Sequence, residues 1–422
     1  MKNINSTPTG KEIFVWNIVG SMASSLLSVV TLMLVTRMLS GEKADIFSIA
    51  WSISQLMATI GTFQIRTYQA TDVTEVFKFG QYLWFRMISN VVMMLCSAGY
   101  VIVKHYSVYK ASIVLIICLF RAVDGFADIY EGYFQQKERL DLVGKACTYR
   151  IVIGVSGFAL SLFLWHDLMI SCIILLLAYV VSFVIFNIRY SVTVKCFNVK
   201  EAWNKNIIWI WKLIKEGAPI FINAFLMMAI TNAPKMKIDS AIAAGQLGNG
   251  IQTIFSVLFM PASVLTLAYI VFRPLLTKMA IEWACGRKQG FLKIVKIIFL
   301  CLIVMAVLLM LGSFLLGIPV LSILYALDLE RYRNELLIMV AGGCFCTFSY
   351  VLDNALVVIR RQYLLVCSYV ISWVYVKLVV AEMVNRWELM GAAMAYATSM
   401  IVFFAVTLVI FMICLKKEKN NE

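Results

Sequence analysis

The stretch IVKIIFLCLIVMAVLLMLGSFLL, at residues 294–316, contains a single charged side chain, Lys296. A helix needs about 20 mostly apolar residues to cross the hydrocarbon core of a bilayer. Further runs of similar length and character occur along the chain, at 14–37, 44–65, 83–103, 111–130, 148–165, 168–188, 216–234, 252–272, 335–358, 363–383 and 390–415. These runs predict an all-α polytopic membrane protein with about twelve transmembrane helices.

The composition of the chain agrees with this fold class. Hydrophobic residues make up 62% of the 422 positions and charged residues only 14%, with a mean hydropathy of +0.87. About a quarter of the residues of an average soluble protein are charged, and a soluble globule of this size cannot bury so much apolar surface. The runs are also too long for barrel strands and do not alternate strictly. A soluble enzyme is therefore excluded.

The distribution of Lys and Arg predicts the orientation. With both termini in the cytoplasm, the inward segments carry about three times as many Lys and Arg residues as the outward loops. The formal net charge of +14 then has a topological cause, and we expect no nucleic-acid partner.

The domain organisation follows from the longest inward connection. We predict an N-terminal six-helix lobe at 1–197, an interfacial amphipathic linker helix at 198–214 and a C-terminal six-helix lobe at 215–422, an arrangement that transporters with internal repeats share. Pro261, within the run at 252–272, predicts a kink there, which suits either a bundle that bends or a static bend.

Charged side chains within the predicted spans are the strongest indication of function. Insertion of a charge at the centre of a membrane helix costs about 2.5–3.5 kcal/mol. Arg121, Asp124 and Asp128 share one helix face because their spacings are three, four and seven residues. One interpretation is an Arg121–Asp124 ion pair that stabilises helix packing. The other is a cluster that binds a polar headgroup or, through Asp124 and Asp128, couples transport to an ion.

A second group of cations lies at the predicted ends of spans. Snorkelling of long basic side chains explains such positions without function. Grouped around a central cavity, the same cations bind an anion such as a pyrophosphate. The predicted substrate-binding residues are Arg37, Arg66, Arg121, Lys235, Lys237 and Arg273.

Several motifs of enzymes and motors are absent from the sequence. There is no phosphate-binding G-x-x-x-x-G-K-[ST] and no H-E-x-x-H, and the eleven cysteines show no zinc-binding spacing. We therefore predict a protein that is not an enzyme, with no catalytic residues, cofactor or metal.

Short motifs along most of the chain resemble a known family. They are WNIVG at 16–20, TRML at 36–39, RTYQATD at 66–72, NAPK at 232–235, FMP at 259–261, FRPLL at 272–276 and GAAMA at 391–395. The chain resembles the polysaccharide biosynthesis membrane proteins, the Wzx-type lipid-linked oligosaccharide flippases, within the MOP superfamily that also contains the MATE drug transporters and the lipid II flippases.

The resemblance implies two six-helix lobes around a cationic cavity in a bacterial cytoplasmic membrane. It implies as cargo a polyprenyl-diphosphate-linked oligosaccharide, moved from the inner to the outer leaflet, with membrane lipid and other polysaccharide-assembly proteins as partners. The alternatives are a MATE-type cation-coupled multidrug antiporter, which predicts acidic rather than basic cavity residues, and an integral-membrane polysaccharide polymerase, which predicts a large external loop.

Overall fold

The computed structural model describes residues 8–72, 76–194 and 208–420. Every regular element within these ranges is helical, and contacts divide the chain into two compact units, Met1–Phe225 and Leu226–Glu422. The helices that begin in the N-terminal unit are α1 Gly10–Met38, α2 Gly41–Thr62, α3 Ile65–Thr71, α4 Phe79–Val103, α5 Val108–Gln136, α6 Leu140–Trp165, α7 Leu168–Ser182, α8 Arg189–Thr193 and α9 Ile208–Ala243. A π-helical turn, Phe183–Ile188, joins α7 to α8.

The C-terminal unit continues from the second part of α9. Its further helices are α10 Ile251–Phe259, α11 Val264–Ala268, α12 Arg273–Ala284, α13 Lys288–Gly312, α14 Ile318–Tyr325, α15 Arg333–Val358 and α16 Leu365–Asn420. Two short 3-10 turns, Met260–Ser263 and Tyr269–Phe272, interrupt the run from α10 to α12. Pro261 lies in the first of them, at the predicted kink. In α16, Glu388 has a positive φ and non-helical backbone angles (φ 50°, ψ −123°), so this element is two helices joined at a bend.

The helices confirm an all-α polytopic membrane protein. Within the described ranges, nine helical stretches are long and apolar enough to cross a bilayer. The run Gln362–Lys417 is one of them and contains both predicted spans on either side of Glu388. The other two predicted spans correspond to α2 and α5, which carry more polar residues. Large apolar side chains such as Leu95, Phe163 and Leu378 are more than two-thirds exposed, as expected of surfaces that contact lipid.

The predicted linker helix at 198–214 falls largely outside the described residues. Its last part, 208–214, belongs to α9. The boundary between the two units also falls inside α9, at Phe225 and Leu226.

Glycine allows α1 and α6 of the N-terminal unit to pack in direct contact. A Cβ atom added to Gly20 would lie 3.0 Å from the Cα atom of Gly144. A Cβ atom added to Gly144 would collide with the carbonyl oxygen of Trp16, which is a backbone atom that no rotamer change can move. The two helices therefore touch along their backbones, in the way that small residues permit in membrane bundles.

We expect Gly144→Ala to destabilise the protein by about 1–3 kcal/mol, the usual effect of overpacking that forces backbone shifts. Thermal unfolding of the purified protein in detergent measures this. The matched control is Gly99→Ala, a helical glycine whose added Cβ would meet nothing within 4 Å. Equal melting temperatures for the two variants would contradict the close packing of α1 and α6.

Candidate functional site

A cluster of charged side chains occupies the interior of the N-terminal unit. Its carboxylates, Asp124, Asp128 and Glu131, lie on one face of α5, while its arginines come from four helices. The members of this arginine–carboxylate cluster are Arg66 of α3, Arg86 of α4, Arg121, Asp124, Asp128 and Glu131 of α5, and Arg150 of α6. Ion pairing is what allows such charges to be removed from water.

Asp128 bridges two arginines from different helices. Arg66 donates to its Oδ1 atom at 2.8 Å and Arg86 donates to its Oδ2 atom at 3.1 Å. The Arg86 side chain is fully buried and also donates to the carbonyl oxygen of Gly61 at 2.6 Å. The sequence shows no basic residue on α5 that could pair with Asp128. In the structure, its ion-pair partners come from α3 and α4.

Arg150 pairs with both other carboxylates. It donates to Glu131 at 2.9 Å, to Asp124 at 3.0 Å and to the side-chain oxygen of Asn187 at 3.2 Å. The side chains of Arg150 and Glu131 are 3% and 5% exposed. Glu131 also accepts from Arg66 at 3.3 Å, which connects the two halves of the cluster.

The Arg121–Asp124 pair anticipated from the sequence is present but long, at 3.9 Å. The guanidinium of Arg121 lies instead against the ring of Trp51, with 4.5 Å between its Cζ atom and the ring centroid. Asp124 forms its shorter bond with Arg150. Arg121 is therefore the cluster arginine with the weakest ionic pairing.

The cluster has a closed and an open side. The side chains of Arg86, Arg150 and Glu131 are at most 5% exposed, whereas those of Arg66, Asp124 and Asp128 are 24–35% exposed. Four arginines face three carboxylates, so the fully ionised cluster retains one positive charge. The surplus belongs to the cluster as a whole, because its most exposed members are one arginine and two carboxylates, each of which is ion-paired.

The C-terminal unit contains a buried lysine of a different kind. Lys235 of α9 is 7% exposed, and its ammonium group lies 4.5 Å from the ring centroid of Phe259. Phe259 packs edge-on against Tyr396. No carboxylate among the described residues pairs with Lys235. A cation–π contact alone compensates only part of the free energy of burying an ammonium ion.

The remaining predicted site residues do not join these groups. Arg37 is exposed in the last turn of α1, and Lys237 is half-buried in α9. Arg273 begins α12, but its side chain lies outside the described part of the structure. The binding and ion-coupling roles assigned to all these residues stay predictions.

Sequence reasoning missed Arg86, Glu131 and Arg150. Glu131 was detectable, because it follows Asp124 by seven residues and Asp128 by three and so lies on the same helix face. Arg86 and Arg150 lie near the ends of predicted spans. An arginine at such a position can extend its side chain to the membrane surface, so its presence does not indicate a functional site. Only the packing of α4 and α6 against α5 shows that their guanidinium groups turn inward.

We expect Arg150→Gln to destabilise the protein by about 3–5 kcal/mol, because it removes the buried cation that pairs with the buried carboxylate of Glu131 and with Asp124. The matched control is Arg386→Gln, which removes an exposed partner of Glu382; such surface pairs contribute about 0–1 kcal/mol. Thermal unfolding compares the two. A stable Arg150→Gln protein would show that the cluster does not stabilise the N-terminal unit.

The chain was compared with known proteins. It is 21% identical over 399 residues to the capsular polysaccharide biosynthesis protein CapF of Staphylococcus aureus, an alignment that covers 92% of this chain and 96% of CapF. An inward-facing multidrug resistance MATE family transporter of the MOP superfamily has a similar fold, with a TM-score of 0.65 at 11% identity over 95% of this chain and 99% of the other.

Two further solved structures share the fold. The MATE transporter VcmN of Vibrio cholerae gives a TM-score of 0.62 at 10% identity, over 96% and 97% of the two chains. A MOP superfamily transporter of Pyrococcus furiosus, reported with a binding pocket of reverse polarity, gives 0.57 at 11% identity, over 96% and 94%. A sequence model of the polysaccharide biosynthesis protein family matches residues 11–279. The chain thus belongs to the polysaccharide biosynthesis protein family, with the fold of the MOP superfamily transporters.

Proposed function

We propose that this protein moves a polyprenyl-diphosphate-linked oligosaccharide from the inner to the outer leaflet of the bacterial cytoplasmic membrane, for surface polysaccharide synthesis. Family membership supports a membrane transporter of polysaccharide biosynthesis. The observation that carries the finer assignment is Lys235, a buried ammonium group that pairs with no carboxylate among the described residues.

A buried cation without an ion-pair partner favours the binding of an anionic ligand. Burial of an ammonium ion in low-dielectric surroundings is unfavourable unless a counter-ion accompanies it. A diphosphate supplies that counter-ion, and hydrogen bonds between Lys or Arg and phosphate oxygens are among the stronger ones in proteins. The apolar lipid tail stays in the bilayer while the diphosphate and sugar contact polar side chains, so the headgroup does not cross hydrocarbon unaided.

The arginine–carboxylate cluster supports the same substrate class. Arg66 is partly exposed and Arg121 is weakly paired, so each has N–H groups that can donate to an anion. Together with the buried ammonium group of Lys235, these N–H groups favour a diphosphate over a cationic drug. The MATE-type antiporter is therefore the weaker candidate, and the Pyrococcus furiosus transporter shows that pocket polarity differs among proteins of this fold.

The membrane potential favours export of such a substrate. A membrane potential that is negative inside the cell contributes about 2.3 kcal/mol per negative charge per 100 mV to outward movement of an anion. A diphosphate with about two negative charges thus has a driving force without ATP. Other polysaccharide-assembly proteins would deliver the substrate and use it after transport.

Deletion of the gene in its host tests the proposed function. We expect the lipid-linked oligosaccharide to accumulate in the inner leaflet, where a membrane-impermeant oxidant of sugars, applied to intact spheroplasts, cannot reach it. Restoration of oxidant access by the plasmid-borne gene is the control. Unchanged delivery to the outer leaflet, in a strain without another exporter, would refute the proposal.

Lys235→Met tests the role of the buried ammonium group. We expect transport in the complemented strain to fall at least about tenfold, in line with the 1.5–3 kcal/mol typical of hydrogen bonds to charged groups. The melting temperature should stay the same or rise, because the variant removes a buried charge. Lys296→Met, at an exposed position of α13, is the matched control. A lower melting temperature with normal transport per folded molecule would assign Lys235 a structural role instead.

A further inference from the structure

Arg121 of α5 is a largely buried arginine that forms no hydrogen bond with any described residue. Its side chain is 15% exposed, and its ion pair is the 3.9 Å contact between its Nη1 atom and Asp124. Its Nε atom is buried without a hydrogen-bond partner. A guanidinium group has five N–H donors and no acceptor, and its removal from water is costly unless those donors are satisfied. This side chain therefore requires an acceptor that the described part of the protein does not supply.

Two further buried donors in the N-terminal unit are in the same condition. The indole Nε1 atom of Trp51 and the hydroxyl of Tyr179 are each buried without a hydrogen-bond partner. Trp51 is 7% exposed and Tyr179 is 0% exposed. An indole N–H group can only donate, and a phenol hydroxyl always has a hydrogen to donate. Because buried polar groups in proteins are nearly always hydrogen-bonded, these donors also indicate an acceptor.

The ring of Phe120 lies between these three side chains. Its centroid is 5.3 Å from the Cζ atom of Arg121, 5.8 Å from the ring centroid of Trp51 and 4.4 Å from that of Tyr179. Ser182, one turn after Tyr179 on α7, has a buried hydroxyl without a partner as well. Donors from α2, α5 and α7 thus surround one fully buried aromatic ring.

The surroundings of these donors are positively charged. The guanidinium group of Arg150 lies 5.7 Å from the ring centroid of Tyr179. The nearest carboxylate of Arg121 is that of Asp124, which forms its shorter bond with Arg150. The arginine–carboxylate cluster has four arginines and three carboxylates, so it retains one positive charge. A single monovalent anion would balance that charge.

We propose that Trp51, Arg121 and Tyr179 form a binding site for one chloride ion inside the N-terminal unit. Chloride accepts several hydrogen bonds and donates none, which suits a site whose indole and guanidinium groups can only donate. The site is closed by the fully buried ring of Phe120. Because the cost of burying an ion rises steeply with its charge, this closed site favours a halide over phosphate or sulfate.

The chloride site is separate from the predicted contacts with a diphosphate. The Nε atom of Arg121 is buried, whereas its Nη1 atom faces Asp124, whose side chain is 35% exposed. Chloride on the buried side leaves the terminal N–H groups of Arg121, and those of Arg66, on the open side of the cluster. The cluster and its chloride are then neutral together. The presence of this site does not depend on the proposed function.

Thermal unfolding of the full-length protein in lipid nanodiscs tests the site. The protein is prepared in sodium gluconate, and sodium chloride then replaces the gluconate at constant ionic strength. A ligand that binds only the folded protein stabilises it, so we expect the melting temperature to rise with chloride and to reach a plateau. Bromide should have the same effect. No response to either halide, or an equal rise with sulfate, would overturn the proposal.

Three variants test the assigned donors. Trp51→Phe and Tyr179→Phe each remove one donor and keep an aromatic ring. We expect each to raise the chloride concentration of half-maximal stabilisation at least about tenfold, the effect of losing a hydrogen bond to a charged group. Arg121→Gln should abolish the chloride response.

Tyr325→Phe is the matched control for these variants. It alters a fully buried tyrosine of the C-terminal unit, whose hydroxyl donates to the Sδ atom of Met260, and it should respond to chloride like the wild type. A wild-type response in all three site variants would place the ion elsewhere and refute the assignment.

Crystals grown with sodium bromide locate the ion directly. We expect an anomalous bromide peak beside the Nε atom of Arg121 and the hydroxyl of Tyr179, and no such peak in Arg121→Gln. A peak at this position without any effect of bromide on the melting temperature would identify an adventitious ion only and overturn the proposal. A bromide peak confined to Lys235 would also overturn it.

Discussion

A charge inside a membrane protein must find a partner, because lipid and packed apolar side chains do not solvate it. In the N-terminal unit this requirement is met by cross-helix bonds. Asp128 joins α3 and α4 to α5, and Arg150 joins α6 to α5 through Glu131. Because helices in lipid associate without a strong hydrophobic driving force, these bonds help to determine which helices are neighbours. The arrangement of the unit depends on this pairing as much as on its apolar core.

Most of the fold could be predicted from the sequence, and for a simple physical reason. Each spanning helix satisfies its own backbone hydrogen bonds, so length and hydropathy alone indicate its position. The bend at Glu388 was predicted as a break between two spans, and the 3-10 turn at Met260–Ser263 coincides with Pro261. The open question was which side chains face each other, since hydropathy carries no information about the rotation of one helix against the next.

In the candidate site, residues on one helix could be predicted from the sequence, whereas their partners on other helices could not. Arg121, Asp124 and Asp128 could be identified because they share one helix. Their partners Arg66, Arg86 and Arg150 could not be paired with them, because the pairs join residues 26–62 positions apart. Trp51 and Tyr179 were missed because an aromatic residue in an apolar run is typical of a packed core, and only the structure shows that their N–H and O–H groups are buried without a hydrogen-bond partner. Lys235 was identified from its position in the sequence. Only the structure shows that no carboxylate among the described residues pairs with it.

The interruptions between α10 and α12 also bear on mechanics. An uninterrupted α-helix resists bending because every turn is closed by i to i−4 hydrogen bonds. Pro261 removes one donor from that series, and the 3-10 turns at Met260–Ser263 and Tyr269–Phe272 replace others with shorter-range bonds. The run Ile251–Ala284 is therefore three helical segments joined by two flexible hinges. Bending of this run is concentrated at the hinges, and the helical segments stay straight.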